Sequence, residues 1–167
     1  MALPEMWRSL SIVLVVVAQQ TWGRSNWIAM TPSRLLDSGA VQAGVFTDNL
    51  PTFVARVWHD NNILPGIARP NVGAWASWQD YEVKKENFEV LIADEVTWIP
   101  AANGVIPLGA QPTGVYLNGT DLYTCRVLDE TAFILESGLI MKGQTVCSIP
   151  WQNRTALYPV YEVMLYK

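Results

Sequence analysis

An all-β chain of two tandem, pseudo-symmetric, β-sandwich-like repeats, closely packed or intertwined, is the fold this sequence predicts, and three observations predict it. The first is self-similarity. Gly39-Ala40, Gly44-Val45 and Arg56-Val57 recur as Gly109-Ala110, Gly114-Val115 and Arg126-Val127 at a constant offset of 70. Trp27-Ile28 answers Trp98-Ile99 at 71, while Trp78-Gln79 and Phe88-Glu89-Val90 answer Trp151-Gln152 and Tyr161-Glu162-Val163 at 73, which puts three extra residues between Thr131 and Ser137. The second is alternation: Phe53, Ala55 and Val57 share one face and Arg56 and Trp58 the other, with the two-residue period of a strand. The third is the lack of helical spacing in either copy. Short β-prone runs bounded by Gly, Pro, Asn and Asp at about 8–12 residue spacing point to sandwiches or barrels, and a period near 70 is longer than that of helical solenoids.

Residues 1–23 stand apart. Arg8 precedes the apolar run Leu10 to Ala18, and polar Gln19-Gln20-Thr21 follows. This is the length of a signal-peptide core and is shorter than the ~20 residues needed to span a bilayer. The expectation is a secretory signal cleaved after Ala18 or Gly23; the alternative is a buried strand of the first repeat. No other stretch is long enough to cross a membrane, so a soluble, secreted, extracellular protein is expected.

The first, degenerate repeat occupies residues 24–93. Asn26 to Met30 reads as a strand ended by Thr31-Pro32-Ser33, and Val41 to Asp48 as a glycine-bearing loop leading into a short strand. Phe53 to Trp58 is the clearest strand, and His59-Asp60-Asn61-Asn62 is a polar turn. Ile63 to Gly66 reads as a strand running into a turn at Pro65-Gly66. Ala74 to Trp78, Tyr81 to Val83 and Phe88 to Ile92 follow, the last two separated by a charged hairpin turn, Lys84-Lys85-Glu86-Asn87. The second repeat, 94–167, follows the same plan. Trp98-Ile99 leads into a Gly-Pro loop from Asn103 to Gly119. Leu122 to Leu128 then carries Tyr123, Cys125 and Val127 on one face. Phe133 to Leu135, Leu139 to Met141, Thr145 to Ile149 and Val160 to Tyr166 supply the remaining strands. Ala93 to Thr97 is the one candidate linker, and it is short and half apolar.

Composition narrows the function. Half of the 167 residues are hydrophobic, only 16% are charged, and the net charge is −4. Such a chain is neither disordered nor suited to phosphate backbones, which require clustered Lys and Arg; no nucleic-acid partner is expected. The two cysteines, Cys125 and Cys147, lie in the second repeat and could pair in an oxidising compartment; two free buried thiols are the alternative. Their counterparts in the first repeat, Ala55 and Trp75, would fill with a small and a large side chain the space that a bridge spans. Asn118-Gly119-Thr120 and Asn153-Arg154-Thr155 are glycosylation sequons in turn-like stretches.

Several residues invite both a structural and a functional reading. Arg56 and Arg126 occupy matching places, as do Glu89 and Glu162. The structural reading, favoured by repetition, pairs each Arg with a Glu across neighbouring strands. Trp78-Gln79-Asp80 and Trp151-Gln152 put an aromatic face beside hydrogen-bonding groups, as a sugar platform needs, although core packing is the commoner fate of a Trp. Asp48, Asn49, Asn118 and Asp121, in the glycine-bearing loops, are the acidic or amide candidates, against ordinary turn chemistry. The lone histidine, His59, lacks metal-ligand spacing to a second one, and no nucleophile elbow or phosphate loop is present. No metal, no cofactor and no enzymatic activity are expected.

Trp98-Ile-Pro-Ala-Ala-Asn-Gly-Val-Ile-Pro-Leu-Gly-Ala110, Leu122-Tyr123-Thr124-Cys125-Arg126-Val127 and Tyr161-Glu162-Val163-Met164 together resemble the DM-9 repeat family. Its pattern opens Trp-Val-Pro-Ala-Ser-x-Gly, steps through Gly-Ala-Val and Leu-Tyr-Val-x-Arg, turns at Pro-Gly-Lys and ends Tyr-Glu-Val-Leu. The resemblance covers nearly all of residues 24–167, strong in the second repeat and degenerate in the first. It implies an all-β fold with two intertwined repeats, as in secreted or immune-related invertebrate proteins and the lectin-like part of natterin-type fish toxins. It also implies mannose-type glycans as ligands, contacted by an acidic residue of the glycine-rich loop and by the lysine of the Pro-Gly-Lys turn. Here Ile67 follows Pro65-Gly66 and Leu139 follows Ser137-Gly138, and an aliphatic side chain cannot donate a hydrogen bond.

Two functions follow. The first is a secreted, non-enzymatic recognition protein that binds glycans or microbial surfaces in innate immunity through loop aromatics and amides. The second is a secreted structural or regulatory protein that acts through protein contacts and has lost the sugar site.

Overall fold

Each of the two sequence copies folds into seven antiparallel strands that pair in the same order. A computed structural model describes residues 25–129 and 134–167. The signal-peptide expectation for residues 1–23 lies outside them. The first seven strands are β1 (Ser25–Met30), β2 (Gln42–Val45), β3 (Pro51–His59), β4 (Asn62–Arg69), β5 (Gly73–Trp78), β6 (Tyr81–Lys85) and β7 (Phe88–Ala93). The next seven are β8 (Val96–Ala102), β9 (Gly114–Val115), β10 (Asp121–Asp129), β11 (Ile134–Met141), β12 (Cys147–Trp151), β13 (Arg154–Tyr158) and β14 (Val160–Tyr166). A 3-10 turn at Pro32–Arg34 is the only helical element among the described residues.

In the first repeat β7 lies between β1 and β3, and β3, β4, β5 and β6 follow by neighbour pairing. The second repeat reproduces this with β14 between β8 and β10, then β11, β12 and β13. The short glycine strands β2 and β9 lie on β3 and β10. Hairpin chemistry sets the tight turns: Asp60 and Asn61 both have positive φ (47° and 61°), the left-handed pair that a two-residue β3–β4 connection requires.

The repeats are intertwined through those glycine strands. β9 of the second repeat pairs with β4 of the first at Val115 and Ile63, and a Cβ on Gly114 would lie 2.2 Å from the Ile63 carbonyl oxygen. Gly44 of β2 approaches Leu135 of β11 in the same way, at 2.1 Å. Polar groups stitch the same seam. The Ser137 hydroxyl donates to the Gly66 carbonyl (3.0 Å), the Leu117 N–H to Asn62 Oδ1 (2.8 Å), and the Thr155 N–H to the Asp80 carbonyl (3.2 Å). Asn62, 3% exposed, also uses its amide N–H groups on the His59 and Asp60 carbonyls, so one buried amide closes a turn in one repeat and anchors a loop of the other.

This interlocking changes what a strand buries. Phe53, Ala55 and Val57 lie in the main core, together with Leu122 and Leu139 from the second repeat. Val54, on the opposite face, is also fully buried, against Leu91 and Met164. The middle of β3 is therefore covered on both sides, and only its end, at Trp58, faces solvent.

Four local expectations are corrected. Pro65-Gly66 and Ser137-Gly138 do not turn: they lie inside β4 and β11, opposite Arg56-Ala55 and Arg126-Cys125. Glycine is needed there because the neighbouring strand comes too close for a side chain. Lys84 to Asn87 is not a hairpin turn, since β6 pairs with β5 while β7 crosses to lie between β1 and β3. Strand β13, absent from the sequence reading, carries the second repeat's copy of β6. The three extra residues are also divided. Four residues separate Asp129 from Ile134 where two separate His59 from Asn62, and the third extra residue lies in the β11–β12 connection.

Candidate functional site

The two repeats meet at a cleft of about 180 Å³. Strand period places its floor and one wall: Ile67 and Arg69, two residues apart on β4, face the same side, with Trp75 opposite Ile67 on β5. Phe46, just past β2, and Glu82 of β6 complete the first repeat's share of the lining. The second repeat contributes Glu136 from β11 and Pro150, Trp151 and Gln152 from the β12–β13 hairpin. Trp151 and Phe46 meet with ring centroids 6.0 Å apart at 52°. The Arg69 guanidinium lies over Phe46 at 3.8 Å and bonds Asp48 Oδ2 at 2.6 Å, and Lys84 lies over Trp75 at 5.3 Å.

These contacts give the cleft distinct chemical capacities. Aromatic faces offer stacking area, the Asp48–Arg69 pair offers an acceptor and a donor side by side, and Glu82, Glu136 and Gln152 add hydrogen-bonding tips. The volume is below the ~300–1,000 Å³ of pockets that enclose drug-sized ligands, so the cleft suits one ring-sized group of a longer molecule.

Repeat symmetry sets Tyr116 and Trp78 as the counterparts of Phe46 and Trp151, and the lining there has changed. Trp78 is held edge-on between His59 (5.5 Å) and Tyr116 (5.7 Å) and packs against the main core. Burial raises the Tyr116 pKa. The counterparts of Glu136, Arg69, Trp75 and Glu82 are Leu64, Met141, Ser148 and Thr155, so neither acid nor the guanidinium survives on that side. His59, expected as a turn residue, serves this packing, with Nε2 3.5 Å from Asp60 Oδ2.

The sequence-derived candidates therefore separate. Trp151 and Gln152 line the cleft, and Asp48 is tied to it through its bond to Arg69. Trp78 is half-buried against the main core, and Gln79 and Asp80 form the exposed β5–β6 turn, Gln79 with φ 54°. Asn49 is a left-handed turn residue (φ 61°) whose N–H donates to the Phe46 carbonyl. Asp121 lies on β10 opposite Val115, away from the cleft, and its charge adds to desolvation in raising the Tyr123 pKa. Asn118 and Asn153 are exposed in turns, and Asn118 Oδ1 accepts from the Thr120 N–H. Phe46, Arg69, Trp75, Glu82 and Glu136 were not singled out from sequence. Arg69 could have been found, because a strand continued through Pro65-Gly66 puts it on the face of Ile67.

Arg56 and Arg126 face Glu89 and Glu162 directly across β3–β7 and β10–β14, at 2.6 and 2.5 Å. Each guanidinium also lies over a tryptophan, Trp27 at 4.4 Å and Trp98 at 4.2 Å. Arg126 Nη1 further donates to the Ala43 carbonyl of the other repeat at 3.4 Å. Each arginine is 20% exposed, between the surface and core regimes of ion-pair energetics. Arg126→Ala is accordingly expected to cost about 2 kcal/mol, with Arg56→Ala smaller for lack of the inter-repeat bond; urea denaturation midpoints check both.

Cys125 and Cys147 form a disulfide. Strand register corrects the expected counterpart of Cys147. Trp151 pairs with Arg154 as Trp78 pairs with Tyr81, so Cys147 corresponds to Ala74, not Trp75. Two fully buried alanines, Ala55 and Ala74, take the place of the bridge.

The DM9 repeat pattern matches residues 46–158. Among solved structures the chain is similar to the nematode sperm cell motility protein MFP2B, with a TM-score of 0.58 and 9% identity. The match covers 86% of this chain and 45% of that one, so the chain spans less than half of that protein, and at this identity the likeness shows the fold alone. No curated protein matches the sequence. With a match over more than half of its length, two intertwined β repeats and an Arg–Glu pair repeated in each, the chain belongs to the DM9 repeat family.

Proposed function

We propose that this chain is a secreted, non-enzymatic recognition protein that binds glycans, including those of microbial surfaces in innate immunity, in the cleft between Phe46 and Trp151. Membership of the DM9 family suggests a lectin-like or recognition role, and the disulfide suits an oxidising compartment. No helix among the described residues is long and apolar enough to cross a membrane. The observation that carries the reading is the Asp48–Arg69 ion pair set on the aromatic pair Phe46–Trp151. Ile67 cannot act as the lysine of the family pattern. Arg69, two residues on along the same strand face, brings a cation to the acidic loop residue instead.

A glycan array on the purified chain tests this. Trp151→Ala is expected to lower glycan binding by about tenfold or more in a chain that remains folded. Trp78→Ala, at the counterpart position packed against the main core, should instead cost about 2 kcal/mol of stability. A second reading, a structural or regulatory role through protein contacts, is favoured by Ile67 and Leu139, both buried where the family pattern has lysine. An array silent across all glycans would leave that reading standing.

A further inference from the structure

Resting on the glycan reading, we propose that the cleft selects sugars with a protonated amine, such as deacetylated amino sugars, over their neutral or acetylated counterparts. Two carboxylates, Glu82 and Glu136, line the cleft against one guanidinium, Arg69. That guanidinium is already bound by Asp48 and stacked on Phe46. Glu136 is only 5% exposed. A hydrogen bond or ion pair made at such depth is shielded from water and is stronger than the same contact at the surface.

The aromatic walls agree in sign with the acids. A ring face attracts cations through its quadrupole, and two of the three rings lining the cleft already hold one: Arg69 over Phe46 and Lys84 over Trp75. Trp151 is the remaining ring, and an ammonium near its face would sit where the acids also attract it. A neutral hydroxyl can donate to a carboxylate but gains neither the full Coulomb attraction nor the ring contact.

The counterpart positions in the other repeat junction show that the fold does not require this charge. Leu64, fully buried, replaces Glu136 there, Thr155 replaces Glu82 and Ser148 replaces Trp75. Acids and ring are thus concentrated at the junction that holds the cleft, and the Trp78 junction lacks them.

Calorimetric titration of the whole chain with a glucosamine tetramer, an N-acetylglucosamine tetramer and a mannose tetramer decides the matter. The expected result is about tenfold tighter binding of the glucosamine tetramer, a preference that shrinks as salt is raised. Glu82→Gln and Glu136→Gln should each bring the ratio of glucosamine-tetramer to acetylated-tetramer affinity toward one, and that ratio is the readout whatever either change does to the acetylated tetramer alone. Should the buried Glu136 variant fail to fold, the Glu82 variant still reads the effect. Equal affinities lost together in Trp151→Ala, or a preference for neutral or sulfated sugars, would overturn the amine selectivity and leave the glycan reading intact. Absence of binding to every saccharide would overturn both.

Discussion

Gly66→Ala is expected to destabilise the fold by at least about 3 kcal/mol, and Gly138→Ala to do the same. A Cβ on Gly66 would lie 1.9 Å from the Trp75 carbonyl oxygen, and one on Gly138 would lie 2.0 Å from that of Ser148. Neither neighbour is a flexible side chain; each is strand backbone, held in register by its own ladder. Relief requires moving β5 from β4, or β12 from β11. That movement would carry the Gly66 carbonyl away from the Ser137 hydroxyl which bonds it from the other repeat. The cost thus combines overpacking with a lost inter-repeat hydrogen bond, leaving a buried serine unsatisfied. Gly119→Ala is the control. It meets nothing within 4 Å and has φ +84°, so only local backbone strain of about 1 kcal/mol applies. Urea denaturation of the three variants separates the cases, and equal midpoints for Gly66→Ala and Gly119→Ala would show that close strand approach is not what these glycines serve.

The same glycines mark where the sequence could and could not be read. Repetition made the architecture legible: identical residues at offsets of 70 to 73 mark matching places in the two copies, as Arg126 over Trp98 and Arg56 over Trp27 do. Alternation in β3 and β10 was readable because charged Arg56 and Arg126 interrupt an apolar face. Pro65-Gly66 misled because local turn chemistry and close interstrand approach demand the same residue. Only the partner strand, distant in sequence, tells them apart. Strand β13 was missed since it opens on Arg154-Thr155, read as part of a turn-like sequon, although Tyr81 to Lys85 at the repeat offset would have marked it. The cleft was the least legible part. Its walls come from both repeats, and the features that separate the cleft at Trp151 from its counterpart at Trp78 lie in side chains that differ between copies. Those are Glu136 against Leu64 and Phe46 against Tyr116, and a search for similarity passes over differences.

Reducing the Cys125–Cys147 bridge, or replacing both residues with alanine, is expected to cost about 3 kcal/mol. The bridge closes a separation of 22 residues, and in the chain-entropy account a loop of this length restrains the unfolded chain by about that amount. Alanine is the informative replacement because the first repeat already uses it: Ala55 and Ala74, both fully buried, occupy the two positions without a bridge. The alanine pair therefore tests the covalent link in a packing arrangement that the fold accepts, at the expense of the core volume left by two sulfur atoms. Both sulfurs are shielded, each cysteine being 0% exposed. A reductant should accordingly reach the bridge only when β10 and β12 open, so reduction in the folded state should be slow and should accelerate in urea. Denaturation curves with and without reductant check the energetic claim: the wild-type midpoint should fall under full reduction while that of the double variant stays fixed. A wild-type midpoint indifferent to full reduction would mean that interlocking of the repeats alone restrains this chain.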